Sequence, residues 1–333
     1  MKIAILGCGN WGSVFGIMQH SNHHRVKIWE YDKERCRHVA ATRNNEPFLI
    51  GHRIPDDIEL HWSIEHVITG ADLIVFAVPS QALRSVVELM KGLEIRCEYY
   101  LSLTKGIEIG TLCRPSEIIA DLTGARDKIS VLSGPCIANE LIRKEPAAVV
   151  IVGRGPSAVH ELQTALSTAY FRIYEGNDLV GVELGAALKN VIAIGCGMSD
   201  GLGFGTNAKG ALITRGIVEI QRLGVKMGAQ AQTFWGLSGL GDLVTTAFSD
   251  ESRNHILGRK IGAGKTLAQA SREMIMVAEG APTARAVMSM AERHAIDMPI
   301  CEAVYDILYQ NKPPKTAISD LMNRPLKHEW SEH

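Results

Sequence analysis

The chain lacks most of the features that mark specialised protein classes. Its 333 residues carry 35 Lys and Arg against 36 Asp and Glu, a net charge of −1, whereas a protein that coats a nucleic-acid duplex is normally far more basic. No nucleic-acid partner is expected, and any bound anion must be held by a local cluster. There is no CxxC pair, and the seven cysteines (8, 36, 97, 113, 136, 196 and 301) are odd in number. That argues against a secreted disulfide framework and against a zinc site. No HExxH spacing occurs, so no metal is expected. The uncharged stretch Met227 to Gly241 has 15 residues broken by glycine and glutamine, too short to span a bilayer. Only four apolar residues separate Lys2 from Gly7, too few for a signal peptide. We therefore expect a soluble cytoplasmic protein with no membrane insertion.

What is present reads as an ordinary folded protein with one unusual enrichment. Hydrophobic residues at 46% and charged residues at 21% are near globular averages, and the length suggests two domains. The 32 glycines exceed the usual share without a collagen period, so tight turns and close backbone contacts are the expected cause. Short β-branched or aromatic runs predict strands at Lys2–Leu6, Arg25–Trp29, Leu73–Val78, Tyr99–Leu103, Ile129–Leu132, Ala147–Val152 and Phe171–Tyr174. Helical patterns separate them, which predicts an α/β fold with a doubly wound parallel sheet covered on both faces. After Gly176-Asn177-Asp178 the texture changes to long helical patterns such as Gly181–Gly195 and Asn207–Leu223. The expected organisation is a Rossmann-type doubly wound α/β domain over residues 1–177 followed by an all-helical domain over residues 178–333.

Gly7-Cys8-Gly9-Asn10-Trp11-Gly12 follows the first strand and opens a helical run. Such a loop needs one glycine for the turn, one for backbone approach to a pyrophosphate and one for helix–strand packing. The helix N-terminus then turns N–H groups toward the phosphates. Glu30 lies eighteen residues after Gly12 at the end of the second strand, where an acid accepts hydrogen bonds from a ribose 2′-hydroxyl and favours NAD over NADP. Lys33, Arg35 and Arg37 follow closely and could instead meet a 2′-phosphate. A second near-match, Gly153-Arg-Gly-Pro-Ser-Ala158, also links a strand to a helix, with Glu175 about twenty residues on. There Pro156 removes a backbone donor, and the site is the weaker of the two.

The candidate chemistry lies in the second half. Lys189 sits in a helical stretch with no other charge between Glu183 and Asp200, and has Gly185, Ala186, Ile192 and Ala193 at the neighbouring helical positions. A desolvated lysine has a lowered pKa and exchanges protons near neutrality; the alternative is a lysine snorkelling at a domain junction. Gly239-Leu-Gly-Asp242 precedes Ser252-Arg253-Asn254, which reads either as a helix N-terminus with an arginine clamp for a phosphate or as a plain cap with a surface arginine. Leu103-Thr-Lys105-Gly106 and Ser133-Gly134-Pro135-Cys136 close predicted strands, at the edge where open α/β sheets bind ligands. Each alone is equally well a turn.

Taken together, these segments resemble the NAD(P)-dependent glycerol-3-phosphate dehydrogenases over nearly the whole chain. The most specific carriers are Gly185-Ala-Ala-Leu-Lys189-Asn190-Val-Ile-Ala-Ile-Gly195 and Ser252-Arg253-Asn254; Gly7–Gly12, Thr104-Lys-Gly106, Ser133-Gly-Pro135 and Gly239–Asp242 support them. The resemblance implies hydride transfer between sn-glycerol 3-phosphate and dihydroxyacetone phosphate, with a homodimer as the expected assembly. Lys189 matches the family's proton-transfer lysine, with Asp242 and Asn190 completing the catalytic set. Gly7, Gly9, Asn10, Trp11, Gly12, Tyr31, Lys105, Ala138, Arg253, Val277 and Glu279 match cofactor contacts. Lys105, Gly134, Cys136, Lys189, Asp242, Ser252, Arg253 and Asn254 match substrate contacts. Two positions depart from the family pattern. Cys136 stands where Ser or Thr is usual, and Tyr31 stands where many bacterial members carry Arg or His, which agrees with Glu30 in favouring NAD over NADP. The rival readings are a two-domain dehydrogenase for a hydroxy acid or sugar-acid phosphate, and a sensor that binds NAD(H) without turnover.

Overall fold

The computed structural model describes residues 1–326, 328 and 329; residues 327 and 330–333, the tail of the expected helical unit, lie outside the described residues. Eight strands form one sheet: β1 (Lys2–Leu6), β2 (Arg25–Trp29), β3 (Glu59–His61), β4 (Leu73–Phe76), β5 (Tyr99–Ser102), β6 (Ile129–Ser133), β7 (Ala147–Gly153) and β8 (Phe171–Glu175), in the spatial order β3-β2-β1-β4-β5-β6-β7-β8. Strands β1 to β6 pair in parallel. Alternation along β4 explains why both faces are covered. Leu73 and Val75 enter one core with Ile5 and Phe15, whereas Ile74 and Phe76 enter another with Leu6 and Leu83.

Two features differ from the sequence expectation. β3 was not expected, because three residues with two polar side chains give no periodic signal. The sheet is also not parallel throughout, since β7 runs antiparallel to β6 and β8 follows β7 in parallel. The link from β6 to β7 contains only a five-residue helix, Ala138–Ile142. That helix is about 7.5 Å long, too short to carry the chain back along a five-residue strand for a parallel crossover.

After β8, every regular element among the described residues is helical. The central helix, Leu179–Gly201, is buried from Gly181 to Ser199. It is long and apolar enough to cross a membrane, but 89% of its apolar window is buried inside the fold. It is therefore the core helix of this region. The side chain of Asp178 caps it through the Gly181 N–H at 2.9 Å and also accepts from Gln230 N and Thr233 Oγ1. The helix Arg253–Gly262 crosses it backbone to backbone. A Cβ on Gly197 would lie 2.1 Å from the His255 carbonyl oxygen, and one on Gly258 would lie 2.0 Å from that of Ile194. This close crossing brings the start of the second helix against Asn190.

Candidate active site

The glycine loop has the local geometry its sequence implies. Gly7 has φ +123°, and a Cβ there would meet the Ala77 carbonyl oxygen at 2.5 Å; a Cβ on Gly12 would lie 2.0 Å from the Gly7 carbonyl oxygen. Gly9 faces open space, with nothing within 4 Å of its would-be Cβ. The helix Asn10–Ser21 begins there, and its first N–H groups have no intrahelical acceptor. Asn10 Oδ1 is buried with no partner. An open backbone face, a helix N-terminus and an orphaned amide oxygen fit a dinucleotide pyrophosphate. The Trp11 ring packs inward against Phe15 and Phe171.

The acid at the end of β2 is placed differently from expectation. Glu30 is only 2% exposed. Its Oε2 is bonded by Arg35 Nη1, and its Oε1 accepts from the Asp32 N–H at 3.1 Å. Arg35 also donates to the Cys8 carbonyl at 2.8 Å and to Asn45 Oδ1, while Asn45 Nδ2 donates to the same carbonyl at 3.0 Å and to Ser13 Oγ at 2.8 Å. The premise of the NAD preference, a free carboxylate at Glu30, does not hold. Of the three nearby cations, Arg35 turns inward, and Lys33 and Arg37 sit over the Trp62 ring. Tyr31 stands 78% exposed. Sequence reasoning missed Asn45, whose only signal is an uncharged polar residue in a turn.

A second cluster forms where the sheet meets the central helix. Lys189 Nζ lies 3.1 Å from Asp242 Oδ1 and 2.6 Å from Thr246 Oγ1. Lys105 Nζ lies 2.7 Å from the other oxygen, Asp242 Oδ2, and donates to the Gly134 carbonyl at 3.0 Å and to Cys136 Sγ at 3.4 Å. Cys136 Sγ in turn donates to the Gly134 carbonyl. Two ammonium groups thus share one carboxylate. Burial lowers the pKa of Lys189 to about 8, against the pull of Asp242 and with the added repulsion of Lys105. Burial also opposes the charge on Lys105, but Asp242 outweighs it and raises its pKa. Asp242 is held below its usual range by the two lysines despite burial, and burial pushes the Cys136 thiol up. Thr246, one helical turn after Asp242, was missed because a threonine in a helix carries no distinguishing pattern.

The Ser252-Arg253-Asn254 segment opens a helix, as both of its readings require. Ser252 Oγ caps the His255 N–H at 3.2 Å. Asn254 Nδ2 donates to Asn190 Oδ1 and Asn254 Oδ1 accepts from the Gly280 N–H, both at 2.8 Å. Asn254 therefore ties its own helix to that of Asn190 and to the start of the helix Gly280–His294. Arg253 is half-buried and has no hydrogen-bond or ion-pair partner among the described residues. Burial lowers its pKa, and the opposing charge is that of Glu279. Glu279 bonds the Ser80 backbone N–H and hydroxyl at the end of β4, which joins the helical region to the sheet edge. Ala138 starts the short helix after β6 and packs on the sheet core. Val277 is 55% exposed.

The family model described as the NAD-dependent glycerol-3-phosphate dehydrogenase N-terminus matches residues 2–158, and its C-terminal counterpart matches residues 178–319. Glycerol-3-phosphate dehydrogenase [NAD(P)+] from Chlorobium phaeobacteroides (strain BS1) is 42% identical over 331 residues, covering 99% of each chain. The protein of that name from Thermoanaerobacter sp. (strain X514) is 41% identical over 329 residues, again covering 99% of each. The chain belongs to the glycerol-3-phosphate dehydrogenase family. The crystal structure of the glycerol-3-phosphate dehydrogenase from Coxiella burnetii superposes with a TM-score of 0.93 at 33% identity, covering 97% of this chain and 99% of that one. Members of this family are NAD(P)-dependent oxidoreductases, a class that leaves the choice between the two coenzymes open.

The other candidate sites lie apart from the lysine cluster. Gly153–Ala158 does join β7 to the helix Pro156–Leu166. Because β7 runs antiparallel, however, it ends beside the start of β6, at the sheet edge opposite the glycine loop. A Cβ on Gly155 would meet the Asp127 carbonyl oxygen at 2.7 Å, so the turn is packed rather than open. A cavity of about 510 Å³ lies at that same edge between Lys2, His20, Arg25 and Glu59. No grouping of three or more metal-ligating side chains occurs among the described residues.

Proposed function

We propose that this chain interconverts sn-glycerol 3-phosphate and dihydroxyacetone phosphate with NAD or NADP, supplying glycerol 3-phosphate for phospholipid synthesis. The observation that carries this reading is the buried Lys189–Asp242–Lys105 cluster lying at the same sheet edge as the glycine loop. The division of labour falls at residues 177 and 178, with the sheet holding the dinucleotide and the helical part holding substrate. The Gly7–Gly12 loop meets the pyrophosphate, with Asn10, Trp11, Tyr31, Ala138, Val277 and Glu279 along the rest of the dinucleotide. The bound nicotinamide supplies the chemistry of hydride exchange with C2 of the substrate.

The protein's own groups do the remaining work. Arg253 and the open N–H groups at its helix start hold the substrate phosphate, with Ser252 and Asn254 beside them. That remote binding orients C2. Lys189 accepts the C2 hydroxyl proton during oxidation and returns it during reduction, when its charge also polarises the carbonyl. A pKa of about 8 suits both directions near neutrality. Asp242 and Thr246 fix the lysine nitrogen, Lys105 adds positive charge beside Gly134 and Cys136, and Asn190 holds the arginine helix in register. The helix-tying amide of Asn190 is a positioning role rather than direct contact with the reacting atoms. A cytoplasmic location fits the seven free cysteines, and a homodimer is the assembly we propose.

The test is oxidation of NADH and of NADPH on addition of dihydroxyacetone phosphate. Turnover with glycerol 3-phosphate as product supports the reading. NADH binding without turnover would make the chain a sensor, and turnover only with a hydroxy acid would place it among the related hydroxy-acid enzymes.

A further inference from the structure

We infer that Arg35 sets the coenzyme preference, by neutralising Glu30 from inside the fold so that a ribose 2′-phosphate is accepted alongside a 2′-hydroxyl. This rests on the dinucleotide reading above, in which the residue after β2 meets the adenosine ribose. An acid there normally excludes NADP by repelling the 2′-phosphate. Here the acid has a guanidinium bonded to one oxygen and a backbone N–H on the other. Neither its charge nor its lone pairs are free in the ordinary way.

Arg35 cannot play the simpler role of a direct phosphate ligand. Its Nη1 is on Glu30, and its Nη2 is on the Cys8 carbonyl and Asn45 Oδ1. Its guanidinium lies 4.3 Å over the Phe48 ring. Swinging outward would break all of these and leave Glu30 as an unpaired buried charge. The surrounding charges make the balance sensitive to this one residue. Glu30, Asp32 and Glu34 face Lys33, Arg35 and Arg37 within eight positions. Asp32 is engaged in capping the next helix, through the Glu34 and Arg35 N–H groups at 2.9 Å. Lys33 and Arg37 form no ion pair among the described residues and rest over Trp62. Removing Arg35 alone therefore turns a neutral end into a negative one, centred on Glu30.

Equilibrium fluorescence titration of NADH and NADPH, without substrate, tests this on the full chain. It is done at about pH 8.5, above the ordinary carboxylate range. Wild type is expected to bind the two coenzymes within about ten-fold of each other, roughly 1.4 kcal/mol. Arg35→Met is expected to weaken NADPH by at least about ten-fold more than NADH, and Arg35→Met with Glu30→Gln to restore the wild-type ratio. Arg35→Lys, which keeps the charge without the fork, should keep the ratio even if both coenzymes bind less tightly. Equal weakening of both coenzymes in Arg35→Met would make Arg35 a scaffold only and overturn the inference. Failure of Glu30→Gln to restore NADPH would make Arg35 a direct ligand, with the same consequence. A wild type that binds neither coenzyme would overturn the dinucleotide reading itself. Thermal melting of each variant separates these outcomes from unfolding.

Discussion

Glu30 and Asp242 are both nearly inaccessible carboxylates, 2% and 3% exposed, and both are met by cations. At Glu30 one guanidinium serves one carboxylate and is fixed on three further groups. At Asp242 two ammonium groups divide one carboxylate between its two oxygens. The first arrangement is charge-balanced and anchored to backbone, so it can only hold shape and potential. The second has one cation too many in a desolvated site, and the excess falls on Lys189, whose pKa drops to about 8 while that of Lys105 rises. A proton held that loosely can be exchanged during a reaction. In the function proposed, a buried carboxylate with its cations thus serves recognition at one end of the sheet edge and proton transfer at the other, and stoichiometry is what separates them.

The sharpest way to break this contrast is Lys189→Met. Methionine matches the stem of the buried side chain without leaving an unpaired charge. It should lower kcat by about 10²–10⁴-fold while leaving NADH affinity and melting temperature near wild type. Near-normal kcat would make Lys189 a junction residue. Arg253→Ala should cost about ten- to a hundred-fold in kcat/KM for the phosphorylated substrate, with unphosphorylated dihydroxyacetone nearly indifferent. An equal fall for both substrates would assign the arginine to structure. The pH profile sharpens the contrast further. Alcohol oxidation needs neutral Lys189 and should rise with pH through about 8, while ketone reduction needs the protonated form and should decline above it.

A third buried carboxylate supplies a control. Glu219 is 4% exposed and forms no salt bridge among the described residues; it accepts the Ile300 and Cys301 N–H groups at 2.8 and 3.1 Å, and burial raises its pKa to about 7. The native state then binds a proton more tightly than the unfolded chain. Stability should fall as pH rises from about 4.5 to about 7, by about 1–3 kcal/mol in total. Glu219→Gln should abolish most of that slope in denaturant unfolding.

The parts legible in the sequence were those governed by local pattern. Apolar runs marked seven of the eight strands, and Gly7, Gly9 and Gly12 each meet the steric condition that their spacing implies. Lys189 was conspicuous because its helical neighbours are uncharged, and it is buried beside Asp242. What was not legible depends on which way a side chain turns. Arg35, Lys33 and Arg37 are equivalent as a run of cations, yet only Arg35 reaches back to Glu30 and Cys8. The reversal at β7 depends on the length of one connecting helix, and Thr246 gains its place only because a helix turn sets it over Lys189.

The most direct test of the shared-carboxylate site is an NMR titration of Lys189 in the protein carrying ¹³C-labelled lysine, in wild type and in Lys105→Met. A wild-type midpoint near 8 is predicted. Lys105→Met should move that midpoint upward, because it removes a like charge and leaves the whole of Asp242 to Lys189. A wild-type midpoint at about 10.4, the ordinary lysine value, or one that Lys105→Met leaves in place, would contradict it.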